Sequence, residues 1–141
     1  MLTKEQHIKY WINTAAEDWI SVEVLFGSKR YLHSLFWSHL TLEKLAKAHW
    51  VKTHAGDIPP RVHNIVWLLD ESGVDLGEKD MFFLDKFNRF QLSSRYPDYL
   101  DEISKICNKE FVEQQLKKVK EIRQCLLEML PSTPSETTHK K

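Results

Sequence analysis

His39, Glu43 and Lys47 stand at four-residue intervals in the run FWSHLTLEKLAKAHW, setting an imidazole, a carboxylate and an ammonium one helical turn apart. At about 100° per residue they share a helix side with Leu32, Phe36 and Trp50, so Glu43 sits within an apolar stripe. An unpaired carboxylate there is costly, and full burial raises its pKa by up to ~3–5 units. A cationic partner is therefore expected. Lys47 is in reach at i+4, and an arginine from another helix would add bidentate geometry. Two readings follow: a closed ion pair anchoring a neighbouring helix, or a polar cleft left open for a ligand or a symmetry mate.

A second concentration of chemistry is SSRYPDY, residues 93–99. The fork of Arg95 suits a carboxylate or a phosphate. Tyr96 either stacks on a base or packs with its hydroxyl bonded. Pro97 reads as a helix stop, with Asp98 after it. The expectation is a helix over 78–96 whose end points Arg95 back at Glu43. His63, ahead of a short helix, is a cap or loop hydrogen-bonder, or a phosphate contact at a helix N-terminus.

Other chemistries find little support. His33 and His39 are six apart and His49 and His54 five, neither the i, i+4 spacing of a helical metal pair, so no metal is expected. There is no glycine-rich phosphate loop, GxSxG elbow or Cys–His signature, and no cofactor is expected. The lysines 117, 118 and 120 and Arg123 alternate with Glu113 and Glu121, as on a solvated helix face.

The chain has 141 residues, the size of one domain, and 42% are apolar, enough for a real core. Lys plus Arg equals Asp plus Glu at 20 each, which argues against nucleic-acid binding through bulk charge. The polar N-terminus does not read as a signal peptide and no apolar run approaches a membrane span. With Cys107 and Cys125 read as free thiols, a cytoplasmic location is expected.

Glycines and prolines fall between periodic segments, and no segment alternates like a strand. Segment 3–26 opens on a Thr3–Gln6 capping box and is stopped by Gly27; Ile8, Trp11, Ala15, Trp19, Val22 and Phe26 form one face. Segment 31–54 is apolar around most of its circumference, hence central. A short segment 64–72, with Asn64 or His63 as cap, and long segments 78–96 and 109–130, the latter capped by Asn108, complete the set. The expected fold is all-α: an up-and-down bundle of four long helices and one short one over 1–130. The polar tail 131–141 is expected to be disordered.

FWSHLTLEKLAKAHW, IPPRVHNIVWLL and LDKFNRFQLSSRYPDY together resemble the HEPN domain, the higher eukaryote and prokaryote nucleotide-binding family. The matching features are Glu43, Lys44 and Lys47 on the second helix, His63 with Asn64 where the family often has Asp, and Arg95-Tyr96-Pro97. The resemblance covers roughly residues 5–130 and implies an α-helical bundle, often dimeric, found beside minimal nucleotidyltransferases and in toxin–antitoxin pairs. Some members are metal-independent ribonucleases using an Arg, four to six intervening residues, then a His. Here Arg30 and His33, and Arg61 and His63, are too close, and Arg89 and Arg95 have no following His in range.

The resemblance thus implies a non-catalytic homodimer that binds a nucleotide-type ligand, serves a nucleotidyltransferase partner, or both. Arg95 and Lys47 would hold phosphate, Tyr96 would stack and Glu43 would orient them, with His39, His63 and Asp98 alongside. The competing expectations are a ribonuclease with a non-standard centre, using His39 or His63 as acid–base beside Arg95, and a pure interaction module.

Overall fold

The computed structural model describes residues 1–91 and 97–131, and of residues 97–99 the backbone only. Helices α1 (Lys4–Gly27), α2 (Tyr31–Thr53), α3 (Ile65–Glu71), α4 (Glu78–Phe87), α5 (Pro97–Ile106) and α6 (Lys109–Glu128) follow in order, with a 3-10 turn at Asn88–Phe90 after α4. No strand occurs among the described residues.

The caps follow from side-chain oxygens placed ahead of each apolar run. Thr3 Oγ1 accepts from the Gln6 amide at 3.1 Å, and Gln6 Oε1 accepts from the Thr3 amide at 2.8 Å, closing the expected capping box. Asn64 accepts from Trp67 N at 3.1 Å and Asn108 from Phe111 N at 2.8 Å. The stop at Gly27 is realised differently. Gly27 is the last residue of α1, and the left-handed residue is Lys29, at φ 64°, with Arg30 N donating to Leu25 O at 2.8 Å. A side chain in that region costs about 1–2 kcal/mol, borne here to reverse the chain in three residues.

That reversal sets α2 antiparallel to α1: the start of α1 meets the end of α2 through Lys4 and Val51, and Phe26 meets Tyr31 across the turn, ring centroids 5.4 Å apart. Midway, Lys44 pairs with Asp18 at 2.7 Å. The α4 helix runs opposite to α6, with Lys118 on Asp80 at 2.6 Å and the Arg89 guanidinium 6.0 Å from the Phe111 ring centroid. Arg123 of α6 lies over Trp19 of α1. The order is therefore up, down, up, down for α1, α2, α4 and α6, as the segment pattern anticipated, with α3 in the connection before α4; α5, in the connection before α6, was not anticipated. Lys118 is tied to α4 rather than lying on a purely solvated face.

At the centre is α2, where Leu35, Leu42, Leu45 and Val51 are fully buried against Ile65, Leu68, Leu84, Phe87, Val119, Ile122 and Leu126. Each such leucine or isoleucine contributes about 1.5–3 kcal/mol of transfer free energy. Lys52 Nζ donates to Met129 O at 2.9 Å, so α2 also supplies a cation to the end of α6.

The sequence reading and the structure part at residues 88–106. The helix expected over 78–96 ends at Phe87, tightens to a 3-10 turn and is extended at Gln91, ψ 148°. At that break stands Asn88, whose side chain is committed to α2 and to the start of α3. Pro97, read as a helix stop, is instead the first residue of α5, where its missing N–H and fixed φ carry no penalty. Leu100, Ile103 and Cys107 recur at helical spacing and turn one side of α5 and its end inward, with Ile103 and Cys107 buried. The tail expected over 131–141 lies, from residue 132 onward, outside the described residues.

Candidate functional site

Buried charge gathers where α2 meets the segment before α3. Glu43 is 4% exposed and Lys47 8%. Lys47 Nζ donates to Glu43 Oε2 at 2.9 Å, and Nδ1 of His63 lies 3.2 and 3.1 Å from Oε1 and Oε2. A carboxylate only accepts, so Nδ1 of His63 carries the proton and its Nε2 is left without one in the neutral ring. The imidazole is about half exposed, so the cluster runs from a buried ion pair to the surface within one residue.

His39 closes the cluster from the other side. Its Nδ1 is 3.8 Å from Glu43 Oε1, too far for a hydrogen bond, while Nε2 is 3.1 Å from Asn88 Oδ1. That oxygen also accepts from Ile65 N at 3.1 Å, so Nε2 is the donor. Asn88 Nδ2 in turn donates to Asn64 Oδ1 at 2.9 Å. Desolvation holds the His39 imidazole below its ordinary range, outweighing the Asn88 hydrogen bond and the Glu43 charge that pull it up. His39 is thus neutral at pH 7 and acts as a buried hydrogen-bond donor, stacked on Phe87 with ring centroids 5.9 Å apart. Its contact with Glu43 is no ion pair at that pH.

Beyond Lys47 lies a cleft of about 330 Å³ between the first half of α1 and residues 57–61, lined among others by Tyr10, Trp11, Lys47, Pro59, Pro60 and Arg61. Lys47 lines it with its ammonium 5.6 Å from the Trp11 ring centroid, a cation–π distance. Its outer wall is fixed by Lys4, whose Nζ reaches Val51 O at 2.9 Å, His54 O at 2.7 Å, Gly56 O at 3.3 Å and Asp57 Oδ1 at 2.7 Å. One ammonium thereby caps the end of α2 and pins the following loop.

Of the residues singled out in the sequence, His39, Glu43, Lys47 and His63 come together. Arg95 and Tyr96, and with them the expected meeting of Arg95 and Glu43, lie outside the described residues; Asp98 lies in the first turn of α5, its side chain likewise outside them. The second partner of Glu43 within the described residues is His63, which the sequence reading had placed as a cap or loop hydrogen-bonder, or as a phosphate contact; it is a loop hydrogen-bonder, and the cap is Asn64. Sequence reasoning missed Asn88, Tyr10, Trp11 and Arg61. Of these only Arg61 carried a signal, a cation after two prolines. Among the described residues, no group of three or more His, Cys, Asp or Glu is placed to hold a metal ion.

Comparison with known proteins gives a family match. The family model described as HEPN domain covers residues 8–130. No curated protein and no solved structure matches the chain significantly. Among the described residues, no helix is long and apolar enough to cross a membrane.

Proposed function

The chain belongs to the HEPN domain family, and from that premise we propose a non-catalytic member that binds a nucleotide-type ligand and works as a homodimer with a nucleotidyltransferase partner. The observation that carries this reading is the cluster around Glu43. Its single negative charge meets the Lys47 ammonium and the His63 imidazole, and the cluster is reached from the surface at His63 and from the cleft at Lys47. A wholly structural ion pair needs neither opening. Cationic groups beside exposed aromatic rings favour phosphate and base together. The absence of an Arg–His pair at ribonuclease spacing supports the non-catalytic part.

The test is thermal unfolding with a panel of nucleotides at millimolar concentration. A ligand at about 100 times its dissociation constant stabilises by roughly 2.7 kcal/mol, read as a rise in Tm. A rise specific to nucleotides supports the reading, and none with any nucleotide overturns it.

One observation favours a second reading, a ribonuclease with a non-standard centre. A buried carboxylate holding Nδ1 of a half-exposed histidine is the arrangement that orients a general base, leaving Nε2 to take a proton. RNA cleavage lost in His63→Ala would establish it; RNA intact after prolonged incubation excludes it.

A further inference from the structure

The charges around the cleft set how much phosphate it can neutralise. Two of its cation–anion pairs are internally balanced. Lys47 is matched by Glu43 at 2.9 Å, and Asp57 by Lys4 at 2.7 Å. Arg61 lines the same space, is exposed, and forms no ion pair among the described residues. With histidine neutral, the cleft therefore offers about one uncompensated positive charge. The walls offer apolar area: Tyr10 is 55% exposed, its ring set edge to face against Trp11 at 5.5 Å, with Pro59 and Pro60 contributing from the facing segment. A cavity of about 330 Å³ is at the small end of ligand sites.

Resting on the nucleotide-binding reading above, we infer that this cleft is the ligand site, and that it takes a nucleotide bearing a single phosphate group rather than a triphosphate. The base packs against Tyr10 and Trp11. The phosphate lies between Arg61, whose fork can engage two of its oxygens, and the Lys47 ammonium. A phosphate monoester carries about 1.5 to 2 negative charges at pH 7, close to what one free arginine and a shared lysine can meet. The further phosphates of a triphosphate would have no uncompensated countercharge in the cleft.

Isothermal titration calorimetry with AMP, ATP, adenosine and inorganic phosphate tests this, using wild type, Arg61→Ala and Tyr10→Ala. Both substituted residues are exposed, so the variants are expected to stay folded, which circular dichroism verifies. The expected result is AMP binding tighter than adenosine or phosphate and at least as tightly as ATP, weakened about tenfold by either substitution. AMP binding unchanged in both variants overturns the cleft as the site while leaving the nucleotide-binding reading standing. ATP binding at least tenfold tighter than AMP overturns the single-phosphate assignment. No heat with any nucleotide removes this inference and the reading beneath it together.

Discussion

Nδ1 of His63 lies within 3.2 Å of both carboxylate oxygens of Glu43, joining the segment ahead of α3 to the one acid of α2, which is buried. The contact divides the labour on Glu43. Lys47 supplies the formal countercharge from within α2, and His63 supplies a proton from outside it. Because His63 is half exposed, solvent can take over its hydrogen bond; Lys47, nearly enclosed, has no such substitute.

That asymmetry predicts unequal costs. Removing one partner of a buried ion pair typically costs about 3–5 kcal/mol, whereas replacing both with apolar residues is often neutral. Lys47→Met is expected near the lower end of that range because His63 stays, and His63→Asn near 1 kcal/mol. The double variant Glu43→Leu/Lys47→Met should recover most of the Lys47→Met loss. Urea denaturation of the three proteins measures this; a Lys47→Met cost below about 1 kcal/mol, the range of exposed pairs, contradicts it.

The helical side shared by His39, Glu43 and Lys47 was legible because all three lie on one element, where a fixed rotation decides the matter. What escaped depends on contacts between elements. Nothing local in KFNRF says that Asn88 Oδ1 will accept from His39 and from the Ile65 amide, and that commitment falls where α4 ends, though apolar spacing alone would continue it. Pro97 is ambiguous for a different reason: proline suits the position after a helix and the first position within one. Leu100, Ile103 and Cys107 carried the periodicity that decides for the second. The cleft was invisible because Tyr10 and Arg61 are 51 positions apart and exposed, outside any core pattern.

Two buried histidines predict an acid-side loss of stability. Desolvation lowers the folded-state pKa of both His39 and His49, whose Nε2 donates to Leu126 O at 2.9 Å, below the ordinary 6.5. Between the lowered folded value and 6.5 the unfolded chain binds more protons, so stability rises with pH through that window and is fully present above it. The slope is at most about 1.4 kcal/mol per pH unit for each histidine. Urea midpoints at pH 5.5 and 7.5 should differ in the wild type, and His39→Gln should narrow the difference. An unchanged difference would show that His39 contributes nothing.

The two cysteines are expected to differ in reactivity. Cys107 is buried where α5 ends, and desolvation raises its pKa to about 11, so little thiolate forms at neutral pH. Cys125 is exposed on α6. A maleimide at pH 7 should label one site per native chain and two in denaturant, with peptide mapping placing the first label on Cys125. Equal labelling of Cys107 in the native protein would mean that the end of α5 opens readily.

Lys4 makes the last prediction because one ammonium serves two structures. It caps the closing carbonyls of α2 at Val51 and His54 and holds Asp57 at 2.7 Å, so the wall of the cleft hangs from the first turn of α1. A cation at a helix C-terminus contributes about 0.3–1 kcal/mol and a partly exposed ion pair about 0.2–1 kcal/mol. Lys4→Met should therefore cost about 1 kcal/mol globally. Its larger effect should be local, because among the described residues no other side chain bridges α1 to residues 54–57 by a hydrogen bond. Hydrogen exchange should accelerate at residues 54–58 while the centre of α2 keeps its protection. Uniform acceleration along α2 would mean that Lys4 acts through the helix alone, and unchanged exchange in the loop would mean that the two prolines hold the wall without it.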